Sequence, residues 1–176
     1  MLPKHKYLLT YRFAEIVNDL NVEFCNIFVN KYSRTNDQMI QAGRSAKQNI
    51  VEGVGQSRIS KKGEIKLLGV AEASIEELTA DYEDFLRQKK LSIWDKNDPR
   101  IRRFRNLGME STKTYPPKSI KLPDSAEETA NLLLTLCHQL TFLLDKQINS
   151  LEKKFVEEGG FSENLLRKRL EHRLPK

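Results

Sequence analysis

Apolar residues recur at three-and-four spacing along most of this chain, and no stretch alternates strictly between apolar and polar. That spacing puts one stripe on one face of a helix, so it constrains the fold more than any other feature. Over 7–32 the stripe is Phe13, Ile16, Val17, Leu20, Phe24, Ile27 and Phe28. After a turn at 33–36, with Asn36 or Asp37 as N-cap, a second helix is predicted over 37–54 on Met39, Gly43, Ala46, Ile50 and Gly53. Gly43 and Ala46 carry no bulk, so a neighbouring helix can approach closely there. A third helix starts at Ser60 as N-cap, uses Ile65, Leu68, Ala71, Ile75, Leu78, Tyr82 and Phe85, and ends at Lys89 or Lys90. The fourth is capped by Asp124 or Ser125 and runs on Leu133, Leu136, Leu140, Leu143, Leu144, Ile148, Leu151 and Phe155 to Gly159 and Gly160. At about 33 residues it is about 50 Å long. Four such helices predict an all-α fold, an antiparallel up-and-down four-helix bundle.

The chain of 176 residues suits one domain. Residues 1–160 are expected to form the bundle, with an arginine-rich insertion near 95–123, and 161–176 a basic helical tail. Within the insertion, Asp98 and Pro99 make a cap and first-position pair for a short extra helix over 99–107, closed by Gly108. The remainder, with Pro116, Pro117 and Pro123, reads as an extended connection over the surface, while Trp94 and Phe104 suit the core. Beyond Gly160, an amphipathic basic helix is predicted over 162–173.

Cys25 and Cys137 each fall in an apolar-periodic segment, which suits reduced core thiols. With His5, His138 and His172 the only histidines and no C-x-x-C pair, neither metal nor other cofactor is expected. The N-terminus lacks the apolar run of a signal peptide. The most apolar stretch, LLLTLCHQLTFLLD, offers about 13 residues before Asp145 where a membrane span needs about 20. A soluble cytoplasmic protein is the expectation.

The segment 44–64, RSAKQNIVEGVGQSRISKKGE, is the richest in chemistry. It is no phosphate loop, because that motif needs G-x-x-x-x-G-K-[ST] after a strand; Gly53 and Gly55 read instead as a helix stop needing positive φ. Glu52 as a general acid or base has no second carboxylate or histidine beside it, and Ser45 and Ser74 have no histidine within local reach. His138, among leucines, reads as a hydrogen-bonded core or interface residue. Asn49 and Glu52, three apart, and Arg44 and Gln48, four apart, can each share a helix face, and Arg44, Asn49 and Glu52 read as polar residues buried at a helix crossing or a subunit contact. No reaction is displayed.

Charge supplies the functional expectation. Thirty Lys plus Arg against 24 Asp plus Glu leave +6, unevenly spread. Segment 31–66 holds eight cations and three acids, whereas 67–86 holds six acids and no Lys or Arg. Arg44, Lys47, Arg58, Lys61, Lys62, Arg100, Arg102, Arg103 and Arg105 are candidates to track a nucleic-acid backbone. Solvated faces, or a scaffold whose acidic third helix meets basic surfaces of another subunit or protein, are the alternatives.

Arg44-Ser45, Asn49-Ile50-Val51-Glu52-Gly53, the loop with Ser60, and then Leu68, Ala71, Ser74, Glu77 and Leu78 carry a resemblance over 7–90. The pattern resembles the bacterial four-helix bundle family that includes proteins encoded in 23S rRNA intervening sequences, and is similar to the accessory variability determinants of diversity-generating retroelements. The resemblance implies an up-and-down bundle assembled into a ring, commonly a homo-pentamer, with a basic surface for nucleic acid or a nucleic-acid enzyme and no catalytic activity. It implies a structural polar cluster of Asn49, Glu52, Ser74 and Glu77. The arginine-rich insertion and the basic tail make this chain longer than a minimal member.

Overall fold

The computed structural model describes residues 2–173. It is all-helical: after a short 3-10 turn at Lys4–Tyr7 come α1 (Leu9–Phe28), α2 (Arg34–Gln56), α3 (Lys61–Gln88), α4 (Pro99–Ser111), α5 (Ala126–Glu158) and α6 (Phe161–Arg173). Residues 174–176 of the basic tail lie outside the described residues.

Local chemistry starts the helices. Ser60 Oγ accepts from Gly63 N at 2.9 Å, Asp98 from Arg100 N at 2.8 Å and Ser125 from Glu128 N at 3.4 Å. Each cap satisfies a backbone N–H that the helix leaves without a partner, an effect of about 1 kcal/mol. The cap of α2 is Ser33 rather than Asn36 or Asp37. Asn36 is buried instead, with its Nδ2 donating to Cys25 O at 3.2 Å, and so ties the start of α2 to α1.

Each of α1, α2, α3 and α5 packs on two of the others: α1 on α2 and α5, and α3 on α2 and α5. The stripes read from the sequence meet inside this ring, and Phe13, Phe24, Ile50, Leu68, Ile75, Leu78, Tyr82, Leu133, Leu136 and Leu140 are fully or almost fully buried. Cys25 and Cys137 are buried free thiols, each pushed up to about 12 by burial. Gly43 carries out the predicted close approach, since a Cβ there would stand 3.1 Å from Asn21 Nδ2.

Three local expectations change. Gly53 and Gly55 end no helix: α2 continues to Gln56, and neither glycine has positive φ. Gly53 is buried because α3 crosses it, where a Cβ would meet Glu64 O at 3.3 Å. Gly108 likewise does not close α4, which runs on to Ser111. A Cβ on Gly108 would meet Leu136 at 2.7 Å and Gln139 Oε1 at 2.9 Å, so the glycine lets α4 lie flat on α5. With α4 on that side, every residue over 129–137 of α5 is buried, far more than one stripe. The 112–124 connection is also no simple surface run, for Thr112, Ile120 and Leu122 are buried in it. A true stop appears at Gly159, with φ of 72°.

The terminal helix corrects a fourth expectation. α6 buries no residue, and Phe161, Leu165, Leu166 and Leu170 are all exposed. At about 100° per residue these positions spread over about half the circumference, so they gather no apolar face. Among the described residues no helix is long and apolar enough to cross a membrane.

Candidate nucleic-acid interface

The nine candidate cations fall on separate elements. Arg44 and Lys47 lie on α2, Arg58, Lys61 and Lys62 around the α2–α3 turn, and Arg100, Arg102, Arg103 and Arg105 on α4. The turn is fastened to the far end of α5, where Lys61 Nζ meets Glu158 Oε2 at 2.8 Å. α4 sits on α5 near Leu136. The two contact points are therefore roughly 30 Å apart along α5, at 1.5 Å per residue. They are two patches, not one groove.

Availability differs between them. Arg58 and Lys62 are exposed, whereas Lys61 is half-buried and engaged by Glu158, whose carboxyl its hydrogen bond holds below the usual range. On α4, Arg100 is the engaged member: Nη2 and Nε reach Asp98 at 2.8 and 3.0 Å, and the guanidinium stands 3.4 Å from the Trp94 ring centroid. Arg102, Arg103 and Arg105 are exposed, and none pairs with a described carboxylate. Arg44, Arg58 and Lys62 are likewise exposed and Lys47 is half-buried, and none of the four pairs with a described carboxylate.

The base of α4 is rigidly held. Trp94 N donates to Asn131 Oδ1 and Nε1 to Glu127 Oε1, both at 2.8 Å, and the ring stacks with Phe104 at 5.9 Å and 17°. Hydrogen bonds from Trp94 and Ser92 hold the Glu127 carboxyl below its usual range. Phe104 is in the core as expected, and Trp94 is half-buried between it and Arg100.

The polar cluster of Asn49, Glu52, Ser74 and Glu77 separates into two parts. Asn49 Nδ2 donates to Ser45 O at 2.9 Å and Ser45 Oγ at 3.2 Å, and Ser45 Oγ lies 3.0 Å from Ser74 Oγ. Ser74 gives its proton to Val70 O at 2.9 Å, so Ser45 donates across to Ser74. This chain joins α2 to α3. Glu52 and Glu77 stay outside it and are exposed, as is Arg44. On α2, Glu52 and Arg44 each sit about 140° from the centre of the buried stripe, on opposite sides of it, at about 100° per residue. Burial within the chain is thus corrected for Arg44 and Glu52, for which a subunit contact is the remaining form of that reading, and Glu77 lies apart from the cluster.

A second network went unseen in the sequence. Buried Asn21 donates from Nδ2 to Met39 O at 2.7 Å, while its Oδ1 accepts from Tyr82 Oη at 2.7 Å and from Cys25 Sγ at 3.7 Å. It links α1, α2 and α3. An asparagine four residues from both Val17 and Cys25, inside an apolar stripe, was the available signal.

The acidic face of α3 is almost unpaired. Of its six acids only Asp84 forms an ion pair with a described residue, Arg87 at 2.7 Å. Burial, then Glu77 and Asp84, push the Asp81 carboxyl up; burial and then Glu76 do the same for Glu72. His138 is exposed rather than in the core, next to the equally exposed Phe142, because both lie off the leucine stripe of α5. Among the described residues no group of three or more His, Cys, Asp or Glu side chains is placed to hold a metal ion.

No family model matches the chain, and neither does any curated protein or solved structure.

Proposed function

We propose that this chain is a non-enzymatic, cytoplasmic, homo-oligomeric protein that binds nucleic acid through its basic surfaces, as an extended member of the bundle family its 44–78 pattern resembles. In this reading α1, α2, α3 and α5 form an antiparallel up-and-down four-helix bundle, and copies assemble into a ring. One observation carries the nucleic-acid reading. Three exposed arginines within four residues of α4, Arg102, Arg103 and Arg105, have no described carboxylate beside them. Like charges so close repel one another, and a phosphate backbone relieves that repulsion while releasing its counterions.

The second reading, a protein-interaction scaffold, has its own support in the unpaired acids of α3. There the arginines meet Glu76 and Glu77 of a neighbouring subunit and are already neutralised in the assembly. Fluorescence anisotropy with labelled single-stranded RNA, duplex DNA and an RNA–DNA hybrid over a salt series, with mass from light scattering, separates the two. Saturable binding that weakens steeply with salt supports the first. A defined oligomer that ignores all three, and that splits on Glu76→Lys with Glu77→Lys, supports the second.

A further inference from the structure

A groove of about 300 Å³ runs between α4, α5 and the 93–96 connection. Its walls are largely apolar, two cations, Lys96 and Arg105, line it, and no carboxylate does. Its mouth is unusual for a helix surface. Phe142 is 60% exposed and Ile93 55%, and Lys146 Nζ stands 5.4 Å from the Phe142 ring centroid. Trp94 also lines the groove, but Phe104 and Arg100 already pack on its ring. Phe142, beside the exposed imidazole of His138 that also lines the groove, is therefore the hydrocarbon ring left open to a ligand.

An apolar slot with an exposed aromatic ring at its mouth, flanked by cations that pair with no described carboxylate, matches a flat, weakly polar group carried on an anionic chain. In a duplex the bases are stacked on one another and cannot enter such a slot; in a single strand they can splay out. We infer that this groove takes an unpaired base of single-stranded nucleic acid, stacked on Phe142, with its flanking phosphates on Arg105, Lys96 and Lys146. The inference rests on the nucleic-acid reading above and narrows it to single strands. It also orders the α4 arginines: Arg105 stands at the groove, Arg102 lies three residues back on the same flank of the helix, and Arg103 lies off that line.

Trp94 is the single tryptophan and reports on the site directly. Short oligouridylate is titrated against the full chain and the response compared with that to duplex RNA of the same length. A saturable change in Trp94 emission is expected, with single-strand affinity at least about tenfold above duplex. Phe142→Ala, at an exposed position that leaves the fold intact by circular dichroism, is expected to weaken oligouridylate by about tenfold and duplex hardly at all. Phe142→Tyr restores binding. Equal binding of both nucleic acids with no response to Phe142→Ala overturns this inference and leaves the cationic reading standing. Failure to bind either overturns both. Quenching of Trp94 by dodecanoate but not by oligouridylate also overturns it and assigns the groove to an amphipathic anion. A fall in assembly mass on Phe142→Ala assigns it to a contact between copies.

Discussion

The α2–α3 turn and α4 look alike in the sequence, each a short run of cations, yet the fold treats them differently. At the turn, Lys61 is drawn against Glu158 from 97 residues away, while Arg58 and Lys62 stay exposed and pair with no described carboxylate. On α4 the neutralised residue is Arg100, held by Asp98 and Trp94, and its engagement fixes the helix from which Arg102, Arg103 and Arg105 project. One patch gives up a cation to hold an end of α5; the other uses a cation to present three more. The lesson is that available charge is set by neighbours in space, not by the count of lysines and arginines.

The comparison is broken most directly by removing the three α4 arginines together. Arg102→Ala, Arg103→Ala and Arg105→Ala in one chain should weaken single-stranded RNA on the order of 100-fold near physiological salt, measured by anisotropy, with unchanged helicity. Next in size is Gly108→Val. Its side chain would collide with Leu136 and Gln139, so denaturant unfolding should show a loss of about 1–3 kcal/mol, with α4 displaced and the turn untouched. Gly53→Ala should be milder, because its Cβ meets Glu64 O at 3.3 Å rather than 2.7 Å.

The turn itself should matter less. Arg58→Glu with Lys62→Glu is expected to weaken binding about tenfold, across unrelated sequences alike. Lys61→Ala should change affinity less than either, since its ammonium already serves Glu158. The smallest effect lies among the acids of α3. Asp81 has its carboxyl pushed above its ordinary 3.8 by burial, so the folded state favours its neutral form. Its contribution is therefore favourable at low pH and is lost as pH rises through the raised value. Asp81→Asn should be more stable than the parent near neutral pH, and the gap in thermal midpoint should shrink as pH falls toward the ordinary carboxylate range.

Much of the fold was legible because it depends on local chemistry. Ser60, Asp98 and Ser125 cap the helices they were read to cap, and the leucine and phenylalanine stripes are the core. Gly53 and Gly108 were misread because a glycine that stops a helix and one that admits a neighbouring helix look the same along the chain; only the crossing partner distinguishes them. Glu52 was placed inside by its neighbours in sequence, although its own helical angle turns it to solvent. At the candidate site the arginines were legible as charge. What was not legible was pairing over long separations: Lys61 with Glu158, Trp94 with Glu127, and Asn21 with Tyr82. Nor does a sequence show that Phe142, on a leucine-rich helix, opens onto a cation-lined groove.

In the proposed function, α4 supplies the main phosphate contacts. It is tested most directly by the slope of log affinity against log salt for single-stranded RNA, measured for the parent and the triple α4 alanine variant side by side. The slope should become shallower by about 2 to 3, roughly one per lost arginine. Identical slopes for the two proteins would contradict it.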